Sequence, residues 1–99
     1  NLIELKKEED KIFFEQIMKA FEENKESLKL DIESHLKNFE YSRVFKIDLA
    51  LIYLALVEIK FCDTPKGVAI NESLELAKKY STEKSSKFIN GIVSAIISE

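Results

Sequence analysis

Between Ile47 and Phe61 the chain reads as a helix with almost no polar face: Ile47, Leu49, Ala50, Leu51, Ile52, Leu54, Ala55, Leu56, Val57 and Ile59 leave little room for a solvated side. A helix of that kind has to be surrounded, so the segment predicts a central rod with other helices packed around it. At about fifteen residues, and with Asp48, Glu58 and Lys60 inside it, the run is too short and too charged to cross a bilayer.

The flanking segments supply the companions. Phe14, Met18, Phe21, Leu28, Ile32 and Leu36 recur at helical spacing and keep one phase across Glu23 to Lys25, which predicts one continuous helix over about 7–37, with Phe13, Ile17 and Leu30 broadening its apolar face. Residues 38–45 lose that phase and read as a connector with aromatic anchors. After the apolar rod, Asp63-Thr64-Pro65-Lys66-Gly67 is the clearest punctuation, with Asp63 or Thr64 able to cap and Pro65 suited to a first helical turn. The helix that follows, ending near Tyr80 and Ser81, turns Val68, Ala69, Ile70, Leu74 and Ala77 inward and sets Glu75 four residues before Lys79. A last helix starts between Glu83 and Ser86 and buries Phe88, Ile89, Ile92, Val93, Ile96 and Ile97. Asn90-Gly91 lies inside it, where glycine costs about 1 kcal/mol relative to alanine. That breach of a local rule predicts close approach of the backbone by another helix or by a ligand. With 99 residues, two glycines, one proline and no strand-type alternation, the expectation is an all-α fold: one domain over residues 1–99, a compact bundle of about four helices around the buried rod.

Several chemistries are disfavoured by the inventory. One cysteine, Cys62, and one histidine, His35, cannot form a disulfide, a metal site or a plausible catalytic dyad, and no HExxH, CxxC, GxGxxG, P-loop or GxSxG sequence occurs. No catalytic residue, cofactor or metal is expected, and Cys62 reads as a structural thiol suited to a reducing cytoplasm. The net charge of −3 gives no general attraction for phosphate, so any nucleic-acid binding has to come from a local group of cations drawn from fourteen lysines and the single arginine, Arg43.

The run Val68-Ala69-Ile70-Asn71-Glu72-Ser73-Leu74-Glu75-Leu76-Ala77-Lys78-Lys79-Tyr80, followed by Ser85-Ser86-Lys87-Phe88-Ile89-Asn90-Gly91-Ile92-Val93, resembles the NusB family, whose members carry INEAVELAK, a short break and then KFVNGVL. Asp48 to Ile59 is similar to that family's DRAILRLALYEL helix, and Asp63-Thr64-Pro65 to its Asp-x-Pro loop. The likeness is strong over about residues 44–97 and rests on pattern alone in the first helix.

The resemblance implies a non-enzymatic RNA-binding factor of transcription antitermination. Such a factor pairs with the ribosomal protein NusE, holds boxA-type single-stranded RNA, and acts on the transcription elongation complex, as a monomer or homodimer with no membrane association. By position, Lys87 would meet phosphate and Phe88 would offer a ring to a base, while Lys84 stands where the family often has an acid. Phe88 also fits the core stripe with Ile92, so burial is the alternative reading of that ring. Asp48 and Tyr53 match positions of the family's partner-protein surface, although Leu49 and Tyr53 replace arginines usual there, and Glu58 matches a residue read as structural. Asn71 and Glu72 are expected to organise the bundle through hydrogen bonds. The family normally begins with an arginine-rich helix, and nothing like it precedes Glu8, so a fragment is expected. Two alternatives stand beside this reading: the NusB-like domain of a ribosomal RNA cytosine methyltransferase, and a helical protein-interaction module that binds no RNA.

Overall fold

The computed structural model describes residues 2–37 and 40–98, with side chains from residue 7 onward. Its elements are α1 (Leu2–Ser34), a 3-10 turn (Tyr41–Arg43), α2 (Lys46–Phe61), α3 (Lys66–Tyr80) and α4 (Glu83–Ile97), and no strand occurs among the described residues. The helical phase read across Glu23 to Lys25 is unbroken, so α1 is a single rod of 33 residues, about 50 Å long at 1.5 Å per residue. It sets the long dimension of a molecule measuring 51 × 29 × 23 Å. α1 stops at Ser34, three residues short of the sequence expectation. There the Ser34 hydroxyl donates to the Asp31 carbonyl at 2.8 Å, and the His35 and Leu36 amides donate to Ile32 and Glu33 in tighter, i→i−3 fashion.

α2 occupies the centre and touches α1, α3 and α4, as its lack of a polar face requires. Leu51, Ile52, Ala55, Leu56 and Val57 are buried, together with Leu28 and Ile32 from α1 and Ile89, Ile92, Val93 and Ile96 from α4. Truncating one of these large aliphatic side chains to alanine typically costs about 2–5 kcal/mol. The contact of α3 with α2 has a different basis. Ala69, Ser73 and Ala77, each four residues after the last, present a fully buried row of small side chains, and the Ser73 hydroxyl donates to the Leu51 carbonyl at 3.2 Å. Small side chains let the two backbones come close enough for that bond. The inward face of α3 is therefore shifted from the expected one: Ser73 is on it, and Val68 is outside.

Other expectations are corrected in the same way. Leu30 is 67% exposed because it points away from the side of α1 that carries Leu28 and Ile32. Phe14 and Met18, on the expected stripe, are exposed because they border an open groove between α1 and α2 instead of the packed core. Neither Asp63 nor Thr64 caps α3. Pro65 is its N-cap residue, with no side-chain bond, while Asp63 takes a left-handed φ of 55° that turns the chain so that the Thr64 amide reaches the Glu58 carbonyl at 3.0 Å. Gly91 has no neighbouring atom within 4 Å of where a Cβ would lie, so no helix is pressed against it. The close-packing expectation fails there. On α3, Glu75 meets Lys78 at 3.8 Å rather than Lys79, an exposed pair of little energetic consequence.

Of the connector, Asn38 and Phe39 lie outside the described residues. Tyr41 does act as an anchor: its hydroxyl is 2.7 Å from that of buried Tyr53, and the Lys29 ammonium stands over its ring at 4.9 Å. Burial and the bond to Tyr41 hold the Tyr53 phenol far above its ordinary titration range. Lys60 adds an ion pair to Asp31 at 2.9 Å between α2 and α1. Cys62 is half-buried, and burial, then the neighbouring Glu58 and Asp63, push its thiol up, away from the thiolate that reactive cysteines need.

Glu58 is a carboxyl buried in the core. It is 4% exposed, and its Oε2 has no hydrogen-bond partner. Burial first, and then the nearby Glu72 carboxyl on α3, push its carboxyl up to about 7 from an ordinary 4.5. Between those two values the folded chain holds a proton that the unfolded chain has released, so this group's contribution to stability falls as pH rises through that window. Glu58→Gln should therefore stabilise the protein at pH 8 by on the order of 1–3 kcal/mol and lose that advantage near pH 4. Denaturant titrations of both proteins across pH check this; parallel stability profiles would show that Glu58 does not titrate as described.

Candidate nucleic-acid interface

The start of α4 is fixed by polar groups rather than by apolar packing. Asp48, in the first turn of α2, is 6% exposed, and both its carboxylate oxygens are engaged: the Ser81 hydroxyl donates to Oδ1 at 2.5 Å and the Ser85 hydroxyl to Oδ2 at 3.0 Å. With both serine protons directed at Asp48, the Ser85 oxygen is left to accept, and it does so from the Thr82 amide at 3.2 Å and from the Thr82 hydroxyl at 2.9 Å. Thr82 and Ser85 thus form a capping box in which serine stands in for the usual glutamate or glutamine. Because the same Ser85 oxygen caps α4 and binds α2, a different start to the helix would leave Oδ2 of the buried Asp48 carboxylate unpaired.

This anchoring decides what the surface displays. Lys84 and Lys87 are exposed and Phe88 is half-buried. The Phe88 ring packs against the core, as the burial reading has it, and its remaining surface borders two shallow grooves. One groove, of about 380 Å³, runs past Lys37, Lys87 and Phe88 and over Gly91 to His35 and Leu36, just beyond the end of α1. The other, of about 350 Å³, is walled by Phe88 and Lys84 on one side and by Arg43, Val44 and Phe45 on the other. Four cations therefore line the two grooves that share the Phe88 ring, in a chain whose net charge is −3. Aromatic rings between fixed cations can stack bases and neutralise phosphates without reading a duplex.

Arg43, Phe45 and Lys37 were not singled out from the sequence. The signal was present in Tyr41-Ser42-Arg43-Val44-Phe45-Lys46, where rings alternate with cations, but without the fold nothing links that connector to α4.

The residues expected to meet a partner protein are placed differently. Asp48 is committed to Ser81 and Ser85, and Tyr53 is 8% exposed with its hydroxyl on Tyr41 and its ring edge-on to Phe21 at 5.1 Å. Their polar atoms serve the fold. Beside them on α2, Ile47, Ala50 and Leu54 form an apolar stripe that is exposed at Ile47 and Ala50 and half-buried at Leu54. Tyr53, Ala50 and Leu54 also wall an apolar groove of about 290 Å³ against Phe14, Met18 and Phe21 of α1. Asn71 and Glu72 are exposed, and Glu72 faces Glu58 as described above. Among the described residues, no group of three or more His, Cys, Asp or Glu side chains is placed to hold a metal ion, and no helix is long and apolar enough to cross a membrane.

Comparison with known proteins identifies relatives of this chain. The sequence profile of the NusB family matches residues 2–98. The chain is 46% identical over 92 residues to a transcription antitermination protein NusB of Clostridium botulinum (strain Kyoto / Type A2), covering 92% of this chain and 64% of that protein. It is 41% identical over 93 residues to the protein of that name from Methylacidiphilum infernorum (isolate V4), covering 93% and 65%, and 44% identical over 88 residues to that from Listeria innocua serovar 6a, covering 88% and 69%. The chain thus spans about two thirds of the length of these relatives.

The Asp48 network makes a quantitative prediction. Asp48→Ala and Ser85→Ala should each destabilise the protein by about 1.5–3 kcal/mol, as expected for a buried hydrogen bond to a charged group. The double variant should lose at least about 1 kcal/mol less than the sum of the two. Strict additivity in chemical denaturation would show that the two groups do not support each other.

Proposed function

The chain belongs to the NusB family, and from that premise we propose that it acts in transcription antitermination as a non-catalytic factor that binds boxA-type single-stranded RNA with the ribosomal protein NusE. The single observation that supports the RNA reading best is the placement of Lys84, Lys87 and Phe88 on the first two turns of α4, with Phe88 between two cation-lined grooves. The lysines sit near the positive end of a helix dipole, where they are slightly unfavourable for stability and well placed for an anion. Lys84 and Lys87 neutralise phosphate, and the Phe88 ring takes a base.

The NusE reading uses α2. Asp48 and Tyr53 hold α2 in place from within, and the apolar positions Ile47, Ala50 and Leu54 beside them give an apolar partner surface what it needs. In this reading the elongation complex meets both faces, and the protein carries out its work inside the cell where transcription takes place. Binding of RNA with a steep dependence on salt distinguishes this function from that of a helical module that binds protein alone.

The test is a titration of a labelled single-stranded boxA RNA against this chain, with and without the ribosomal partner. Lys87→Ala should weaken binding to all sequences and reduce the salt slope by about one, whereas Phe88→Ala should cost about 1–3 kcal/mol of binding through lost stacking. If Phe88→Ala lowers the melting temperature but leaves the affinity of the folded molecules unchanged, the ring serves the core alone and the RNA assignment to it is wrong.

A further inference from the structure

Phe45 is 61% exposed, at the N-cap position of α2, and its backbone carbonyl accepts the Leu49 amide at 2.9 Å. A lone exposed phenylalanine on a protein surface calls for no special account. This one shares a groove of about 350 Å³ with the Phe88 ring, and Arg43 and Lys84 stand on the two walls of the same groove. Asp48 is the one carboxylate among the residues lining it, and the Ser81 and Ser85 hydroxyls already occupy both of its oxygens. The groove therefore combines two aromatic side chains with two cations, and the oxygens of its one acid are turned into the fold by the two serines. Charge and chemistry both suit a phosphodiester strand carrying planar bases.

We propose that Phe45 and Arg43 form a second nucleotide subsite, next to the one at Phe88, so that a single strand crosses from α4 onto the turn preceding α2 with a base against each ring. Arg43 and Lys84 hold the phosphate between the two bases. Arg43 suits that place because its guanidinium can engage two phosphate oxygens at once. Nothing about sequence preference is required, since every base has a face to stack. The subsite rests on the RNA-binding function proposed above and extends it by naming where the adjacent nucleotide goes.

The chain contains no tryptophan, so Phe45→Trp places a unique fluorescent reporter in the subsite. The fold should accept the change, because the Phe45 ring is largely outside the core and its backbone bond is unaffected. Fluorescence of this variant and anisotropy of a labelled boxA RNA are followed in one titration, and repeated with the same strand made abasic. Tryptophan quenching that saturates together with anisotropy, and that disappears with the abasic strand, is the expected result. Phe45→Ala should weaken RNA binding about ten-fold, and Arg43→Gln should lower the salt slope by about one, both with unchanged melting curves. Saturating anisotropy without quenching, or full affinity in Phe45→Ala, overturns the subsite and leaves the wider function standing. A fluorescence change caused by the ribosomal partner and not by RNA overturns it in favour of a protein contact. No RNA binding by the parent chain, alone or with that partner, removes the subsite and the function together.

Discussion

A buried carboxylate with two serine hydroxyls on it governs how this molecule presents its surface. Taking the Asp48 carboxylate out of water costs several kcal/mol unless its oxygens are satisfied, and Ser81 and Ser85 satisfy both. The two serines lie at the end of α3 and in the first turn of α4, so a single charge on α2 fixes the corner between the next two helices. Apolar packing alone would allow α4 to slide or rotate by a fraction of a turn. A hydrogen-bonded corner does not, because each displacement leaves a charged oxygen without a partner.

The rest of the architecture places that corner where it can act. α2 is held between the row of small residues on α3, the Leu28 and Ile32 end of α1, and the aliphatic face of α4. Its N-terminus is thereby brought beside the start of α4, and the connector that leads into it carries Arg43 and Phe45 alongside Lys84 and Phe88. Net charge is a poor guide to such a surface. The acids that make the chain acidic overall are spread along the exposed face of α1 and elsewhere, whereas a phosphate senses cations within about a Debye length of 8–10 Å.

Much of the fold was legible in the sequence because burial leaves a periodic trace. The apolar rod, the unbroken phase through Lys25 and the endings at Pro65 and Ser81 all follow from side-chain spacing. What spacing does not carry is which of two apolar faces is covered: Leu30, Phe14 and Met18 fit a stripe yet stand exposed. Polar residues in apolar runs are equally ambiguous. Asp48 reads as a partner-surface residue only through its position in the family pattern, and the hydroxyls that satisfy it lie more than thirty residues away along the chain. The lysines and the phenylalanine of α4 came from resemblance, while Arg43 and Phe45 join them only through folding. Gly91 shows the limit from the other side, since a helix-breaking residue suggested a close neighbour and the structure gives it open space.

Native-state hydrogen exchange in Asp48→Ala tests the corner most directly. If Asp48 positions α4, protection should collapse first at the amides of residues 82–89, while those of Ile52 to Val57 and of Ile92 to Ile96 fall only by the change in global stability. A uniform loss of protection throughout the chain, or none at the start of α4, would mean that the helix is placed by apolar packing, and that its display of lysines and phenylalanine does not depend on the buried charge.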